Sequence, residues 1–255
     1  MIDLSERHER PRTAAAGGAP DLFTLGRQAA ARAREATGGR GLFARARQLL
    51  ATGAWRGPRD AADAYVEDED LAALGGLAAA VEAGVRTVVT SQAASLRAAA
   101  GVRGLVRLRF RAGESEAERL GRLEELAALI AGGLAVDGVL PTPEGEPLGL
   151  DTLRFVALAR LHLPVAHVVV DFSRLGHRLA QMCLGFGADE LFGPIVSERA
   201  LRLGDNATNP AMTRKEAATL IRGAGLQPFE RGSGGAITAY EFSVATAAIP
   251  PRGEQ

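Results

Sequence analysis

The sequence predicts an α/β fold, a partial (β/α) TIM-like barrel of about six parallel strands preceded by two helices. The chain has 255 residues, of which 47% are hydrophobic, which is enough for one complete core. Short apolar runs recur along the chain, and segments with helical spacing of apolar residues separate them. This alternation favours parallel strands, because helices can then cover both faces of the sheet.

The individual strands and helices follow from these runs and spacings. Strands are predicted at residues 64–66, 85–90, 104–110, 136–140, 165–170 and 188–196. Helices are predicted at residues 71–83, 96–100, 114–131, 150–161, 175–185 and 213–224. The last of these begins with Thr213 and Glu216, the pattern of a capping box. Since a closed barrel of this type has eight strands, either weak runs such as 64–66 and 236–244 complete the ring or the barrel is open.

The chain before the first predicted strand divides into two parts. Residues 1–20 mix charge, alanine, glycine and proline without periodicity, which predicts a disordered tail. Residues 21–59 show helical spacing in two stretches separated by Gly38 and Gly39, which predicts two helices, the second over residues 42–50. The barrel is assigned to residues 60–244 and a C-terminal tail to residues 245–255.

Composition excludes several classes of function. The 30 basic residues equal the 30 acidic ones, so we expect neither nucleic acid nor an anionic membrane surface as a partner. One cysteine excludes an intrachain disulfide framework and any cysteine-rich metal site built from this chain alone. The N-terminus lacks the apolar core of a signal peptide, and no segment approaches the roughly 18 apolar residues of a membrane span. We therefore expect a cytoplasmic protein.

Residues 149–231 carry a resemblance to a known family. They contain the pieces GLDTLRFVALARL, LGHRLAQMCLGFGADELFGPIV and TRKEAATLIRGAGLQPFER. In order and spacing these pieces resemble the C-terminal half of the radical S-adenosylmethionine (radical SAM) enzymes of the futalosine route to menaquinone, above all the aminodeoxyfutalosine synthase family. The resemblance implies a radical-SAM-like partial barrel, with a ligand pocket at the carboxyl-terminal ends of the strands.

The chain departs from that family at its cofactor. The family holds a 4Fe-4S cluster in a Cys-x3-Cys-x2-Cys loop after the first barrel strand, but residues 64–70 contain no cysteine. Cys183 lies within a predicted helix and is expected to be a buried core thiol. Phe192 stands where the family's GADD-LDG pattern has an acid. We therefore expect no cluster, no reductive cleavage of SAM and no cofactor.

Candidate ligand-binding residues are taken from the predicted strand ends. His167, Asp171 and Arg174 lie within or just beyond the strand at 165–170, and Asp189 and Glu190 lie before or inside the next strand. Paired carboxylates can transfer protons or bind a ribose hydroxyl. The alternative is a structural role, with Asp189 and Glu190 as turn acids and His167 as a core or rim residue.

Three arginines suggest an anion site. Arg107, Arg109 and Arg111 alternate with apolar residues, which places their guanidinium groups on one face of a strand. The alternative is an edge strand with a solvated face. The four histidines, at positions 8, 162, 167 and 177, show no paired spacing, so no metal site is predicted.

The leading hypothesis is a cluster-less, aminodeoxyfutalosine-synthase-like protein that is auxiliary or ligand-binding and connected with menaquinone biosynthesis. Its partners would be a small-molecule ligand or a full-length radical SAM paralogue in a heterodimer. The alternative is a cofactor-independent lyase or isomerase that uses strand-end aspartate, glutamate or histidine residues. The sequence leaves open whether any reaction is catalysed.

Overall fold

A computed structural model of the chain describes residues 20–57, 61–98, 101–146, 149–197, 211–232 and 235–241. Its helices are α1 Leu22–Thr37, α2 Asp68–Ala73, α3 Leu77–Glu82, the 3-10 helix η1 Ala93–Ala98, α4 Glu116–Ala131, α5 Gly149–His162, α6 Phe172–Leu175, α7 His177–Gly185 and α8 Arg214–Gly223. Its strands are β1 Arg40–Ala44, β2 Ala46–Leu49, β3 Trp55–Arg56, β4 Asp63–Glu67, β5 Thr87–Thr90, β6 Arg103–Phe110, β7 Gly138–Pro143, β8 His167–Asp171, β9 Glu190–Phe192, β10 Ile195–Val196, β11 Met212–Thr213, β12 Gln227–Arg231 and β13 Ile237–Ala239. None of the helices among the described residues combines the length and apolarity needed to cross a bilayer.

Most strands form one curled, largely parallel sheet with the order β13-β12-β1-β9-β8-β7-β6-β5-β4-β2-β3. Only β3 and β13, at the two ends of this order, run antiparallel to their neighbours. The six predicted strands correspond to β4 through β9, and the predicted α/β partial barrel is confirmed.

The second N-terminal helix was predicted wrongly, because residues 42–50 lie in strands β1 and β2 and the turn after them. Leu42 and Phe43 pair with β9 on one side and β12 on the other, and both side chains are buried. A strand buried on both faces shows no period of two, so its apolar residues can imitate helical spacing. Arg45 alone separates β1 from β2, and β2 pairs with β4. Because β1 pairs with β9 and β12 while β2 pairs with β4, this one stretch of chain joins the two sides of the curled sheet.

Two other segments refine the predicted boundaries. The helix predicted at 71–83 is divided into α2 and α3 at Gly75 and Gly76, whose φ angles of 86° and 95° do not suit a right-handed helix. Within the weak run at 236–244, the described strand β13 pairs antiparallel with β12 and does not extend the parallel ring. The predicted tails, apart from Pro20, lie outside the described residues.

The core has two layers, one on each face of the sheet. Helices pack on the convex face, where Phe110 of β6 contacts Phe155 of α5 with ring centroids 4.8 Å apart. A smaller apolar cluster fills the concave face at mid-strand, formed by Tyr65, Val89, Leu105, Leu140, Val169 and Phe192. The concave side is thus packed with side chains, and polar groups are confined to the two ends of the strands.

Candidate ligand site at the carboxyl-terminal mouth

Polar side chains form a layer at the carboxyl-terminal end of the concave face. Successive side chains of a strand alternate between faces, so the residues two positions beyond the apolar cluster share its face. On β4, β6, β7 and β8 these residues are Glu67, Arg107, Thr142 and Asp171. We call this layer, together with Gln48 of β2, the mouth.

Arg107 and Glu67 form an ion pair across the mouth. The guanidinium donates two hydrogen bonds to the carboxylate, Nη1 to Oε2 at 3.0 Å and Nη2 to Oε1 at 2.9 Å. Burial would raise the pKa of Glu67, but the hydrogen bonds and charge of Arg107 outweigh it and lower that pKa. The Nε of Arg107 is buried and has no hydrogen-bond partner among the residues that the structure describes. One donor of a buried cation is therefore left for a ligand or water.

Asp171 lies on the same face, at the end of β8. Its Oδ1 accepts hydrogen bonds from the backbone N–H of Ser173 at 2.9 Å and from the Ser173 hydroxyl at 2.5 Å, which caps α6. Its Oδ2 lies 3.4 Å from Nε of Arg174, a half-exposed side chain at the rim. Burial raises the pKa of Asp171 above the ordinary aspartate value. This carboxyl group therefore takes up a proton more readily than an exposed one.

A hairpin formed by β2, β3 and the turn between them contacts the mouth. Its Arg56 hydrogen-bonds to the amide oxygen of Gln48, and the Gln48 amide nitrogen donates to Asp70 at 3.0 Å. The backbone N–H of Ala51 also donates to Asp70, at 2.8 Å. Arg47 stacks its guanidinium 4.1 Å from the ring centroid of Trp55. Side-chain and backbone contacts thus anchor both arms of this turn.

The position expected for the family's cysteine loop needs correction. The first strand of the sheet in chain order is β1 with β2, not the run at 64–66, so the segment to compare is residues 50–62. That segment also contains no cysteine. Cys183 is buried in α7, and burial raises the pKa of its thiol to about 12. The residues do not fit a 4Fe-4S cluster, which needs thiolates, because the mouth supplies only carboxylates, amides, hydroxyls and guanidinium groups. Among the described residues, no three histidine, cysteine, aspartate or glutamate side chains are grouped as metal ligands.

Three predicted site residues lie at the opposite, amino-terminal end of the strands, so their predicted location was wrong. His167 is the first residue of β8, Glu190 is the first residue of β9, and Asp189 precedes it. Asp189 is fully buried and accepts hydrogen bonds from Arg160, from Nδ1 of His167 at 2.6 Å and from the backbone N–H of Val168 at 2.8 Å. These contacts link α5, β8 and β9, which is the structural role considered as the alternative.

Glu190 forms a second buried network at that end. Its Oε2 lies 2.6 Å from Nη2 of Arg103 and 3.1 Å from Nη2 of Arg231. Burial would raise the pKa of Glu190, but the two arginines lower it to about 2. The carboxylate therefore connects β9 to β6 and β12.

The three alternating arginines occupy different environments. Arg107 is paired in the mouth, whereas Arg109 is 47% exposed at the rim, 3.6 Å from Glu69. Arg111 follows the strand and is 75% exposed, 3.3 Å from Glu144. Since β6 lies between β5 and β7, the edge-strand alternative is excluded.

The sequence interpretation missed Gln48, Arg56 and Glu67 as mouth residues. No function was assigned to Glu67 from the sequence. Its position directly after a strand was the signal that could have identified it, because strand ends meet at the mouth. Gln48 and Arg56 carried no such signal, since β2 was predicted as helix.

The curled, largely parallel sheet with helices on its convex face defines an α/β protein with a partial-barrel fold. Its fold resembles the crystal structure of HydG, a maturase of the [FeFe]-hydrogenase, with a TM-score of 0.50 over 68% of this chain and 62% of that chain. Because the sequences are only 9% identical, this likeness concerns the fold alone.

Curated relatives give the more particular similarity. The chain is 29% identical over 130 residues to aminodeoxyfutalosine synthase of Thermus thermophilus, and 34% identical over 87 residues to that of Streptomyces coelicolor. It is also 34% identical over 85 residues to 5-amino-6-(D-ribitylamino)uracil–L-tyrosine 4-hydroxyphenyl transferase 1 of Methanosarcina barkeri. These matches cover 46%, 33% and 32% of this chain, but only 35%, 22% and 23% of the relatives. No protein-family model matches the chain.

Proposed function

We propose that this chain is a cluster-less, radical-SAM-like protein that binds a small ligand at the mouth and acts in the cytoplasm as an auxiliary protein of menaquinone biosynthesis. The observation that carries this proposal is the thiol-free hairpin after the first strand. It joins the mouth through Arg56 and Gln48 at the position where the family holds its cluster.

The mouth offers specific contacts to a ligand. Within the described part of the chain, Arg107 has an unpartnered Nε–H, and one carboxyl oxygen of Asp171 lies 3.4 Å from Nε of Arg174. Arg109 and Arg174 stand half-exposed at the rim. A neutral or anionic polar group, such as a sugar hydroxyl or a carbonyl, can accept from Arg107 while Asp171 accepts or donates. These four residues form the proposed binding set; His167, Asp189 and Glu190 support the fold.

The pathway assignment rests on the similarity to the two aminodeoxyfutalosine synthases. Under this assignment, the ligand is a futalosine-like or chorismate-derived molecule. The partner is a full-length radical SAM paralogue, with which the chain forms a heterodimer. Purification of the tagged chain from its native host tests the partner. Recovery of a radical SAM protein in equal amount supports the heterodimer, and recovery of the chain alone rejects it.

A second candidate is a cofactor-independent lyase or isomerase. The raised pKa of Asp171 at the mouth favours it, because a carboxyl group that is readily protonated can act as a general acid. In this candidate Asp171 replaces the His167, Asp189 and Glu190 of the sequence hypothesis. Consumption of the bound ligand, followed by mass spectrometry, would distinguish catalysis from binding.

Calorimetric titration with aminodeoxyfutalosine tests the proposed ligand site. The wild-type chain should bind it, and Asp171→Asn and Arg107→Gln should each weaken binding by about tenfold or more, the loss expected for a contact to a charged group. Glu35→Gln changes an exposed carboxylate on α1 and serves as the control. Absence of binding by the folded wild-type chain, or equal binding by all four proteins, would reject this ligand site.

A further inference from the structure

A cleft of about 420 Å³ lies beside the mouth, between β6, α4 and the segment after β5, and Arg107 borders both. The two helical segments beside the cleft on the convex face of the sheet differ in length. The helix α4 has 16 residues, but η1, which follows β5, is a 3-10 helix of only six. The cleft has the volume of a typical small-molecule site, and the residues at its base, Val106, Leu108 and Phe110, are 2%, 7% and 1% exposed.

The floor and one wall of this cleft are apolar and mainly aliphatic. Val106, Leu108 and Phe110 form the floor on β6, and Leu126 and Leu129 form the wall on α4. Four of these five side chains are valine or leucine. A flexible hydrocarbon chain can follow such a surface, and each methylene group that it buries contributes about 0.8 kcal/mol.

Cations at the cleft differ in how firmly they are held. Arg107 makes its two-bond pair with Glu67, and Arg122 makes two bonds of 2.5 Å to Glu114. Arg109 and Arg111, by contrast, lie 3.6 Å and 3.3 Å from glutamates that are themselves exposed. Such exposed pairs contribute little to stability, so a ligand can redirect these two arginines.

The acidic groups at the cleft are Glu144, which already faces Arg111, and the exposed Glu125 on α4. Glu125 lies on the same helix as the apolar wall, where it disfavours a second negative charge on a ligand. The cleft therefore combines an aliphatic surface with two available cations at the end of β6.

We propose that this cleft binds an aliphatic monocarboxylate of medium chain length. The hydrocarbon chain lies along β6 and α4, and the carboxylate accepts hydrogen bonds from Arg109 and Arg111. This site is distinct from the mouth in its floor and wall and in Arg111, none of which belongs to the proposed mouth set. A failure here therefore leaves the titration with aminodeoxyfutalosine unaffected.

Calorimetry with octanoate on the full chain tests this site. Octanoate should bind, and octan-1-ol, which lacks the charge, should bind at least about fivefold more weakly, a moderate loss because the arginines are exposed. Arg109→Gln and Arg111→Gln should each reduce octanoate affinity by a similar factor. Arg32→Gln is the matched control, because Arg32 is also 47% exposed beside one glutamate but lies on α1.

Leu129→Trp provides an independent test, because it places a larger side chain in the cleft without changing charge. It should abolish octanoate binding while the circular dichroism spectrum and cooperative unfolding remain. Three results would overturn the proposal: no binding of octanoate at millimolar concentration, equal binding of octanoate and octan-1-ol, or tighter binding of octylamine than octanoate. The last would assign the site to a cation held by Glu125 and Glu144.

Discussion

Breaking the buried contact between Asp189 and Arg160 should strongly destabilise the fold. Asp189 is fully buried and the Arg160 side chain is only 2% exposed. Asp189→Asn keeps the shape of the side chain but leaves the arginine charge without its counter-charge. Arg160 would then face three uncharged acceptors: the amide oxygen that replaces the carboxylate, and the carbonyl oxygens of Gly187, at 2.8 Å, and Ala166, at 3.4 Å. None of these acceptors neutralises a buried charge, so the loss should reach about 3–5 kcal/mol.

A double-mutant cycle separates this charge effect from simple loss of packing. Arg160→Met removes the guanidinium and should also cost about 3–5 kcal/mol, because it leaves the Asp189 carboxylate uncompensated. The double variant contains no unpaired charge, so its loss should be smaller than the sum of the single losses by about 2 kcal/mol. Urea unfolding followed by circular dichroism gives the three free energies, provided that the slopes with denaturant agree.

Glu35→Gln is the control for an exposed pair. Glu35 is 70% exposed and lies 3.8 Å from Arg32, which is 47% exposed, so its removal should cost less than about 1 kcal/mol. The reasoning is refuted if Asp189→Asn also costs less than about 1 kcal/mol. It is equally refuted if the two single losses add without coupling.

Three further predictions follow from burial and backbone geometry. The Cys183 thiol, with its pKa raised to about 12, should resist iodoacetamide at pH 8 until the chain is unfolded, and rapid labelling of the native protein would contradict its burial. Gly193→Ala should destabilise the fold by about 1–3 kcal/mol, because φ of Gly193 is 139° and a Cβ there would lie 2.7 Å from Phe172. As the control, Gly121→Ala in α4 should be neutral or stabilising by up to about 1 kcal/mol. Equal shifts of the melting temperature in the two variants would contradict this prediction. Glu190 has a lowered pKa, so its contribution to stability is complete above its unfolded pKa near 4.5 and is lost as pH falls towards about 2. The difference in unfolding free energy between wild type and Glu190→Gln should therefore shrink over that pH range. A constant difference would contradict the assigned role of Glu190.

The local pattern of apolar residues was sufficient to predict most of the parallel strands of the sheet. The runs that became β5, β7 and β8 are short, continuous and rich in valine or leucine, as strands covered on both faces should be, whereas β6 was recognised by its alternation of apolar residues and arginines. The capping box at Thr213 and Glu216 was predicted and is confirmed. Strands β1 and β2 were missed because apolar residues of a doubly buried strand can match the spacing of a helix, and only their pairing with β9, β12 and β4 distinguishes the two.

The candidate site depended more on distant contacts and on strand boundaries. His167 lies at the amino-terminal end of the sheet because β8 begins at this residue. The predicted strand began two residues earlier, at residue 165, so the sequence did not show that His167 is the first residue of the strand. The partner of Arg107 is Glu67, 40 residues away in the chain. Such a pair is brought together only by the order of strands in the curled sheet. Sequence alone therefore identified the arginines and Asp171 at the mouth, but not Glu67, the carboxylate that pairs with Arg107.

The central proposal is that this chain, whose fold resembles that of HydG, holds no 4Fe-4S cluster. Anaerobic reconstitution of the purified chain with iron and sulfide, followed by addition of SAM and a reductant, tests it most directly. The absorbance of a 4Fe-4S cluster and the release of 5′-deoxyadenosine should both be absent, because one buried thiol cannot replace three cysteine ligands. Stable cluster formation with cleavage of SAM would contradict the claim.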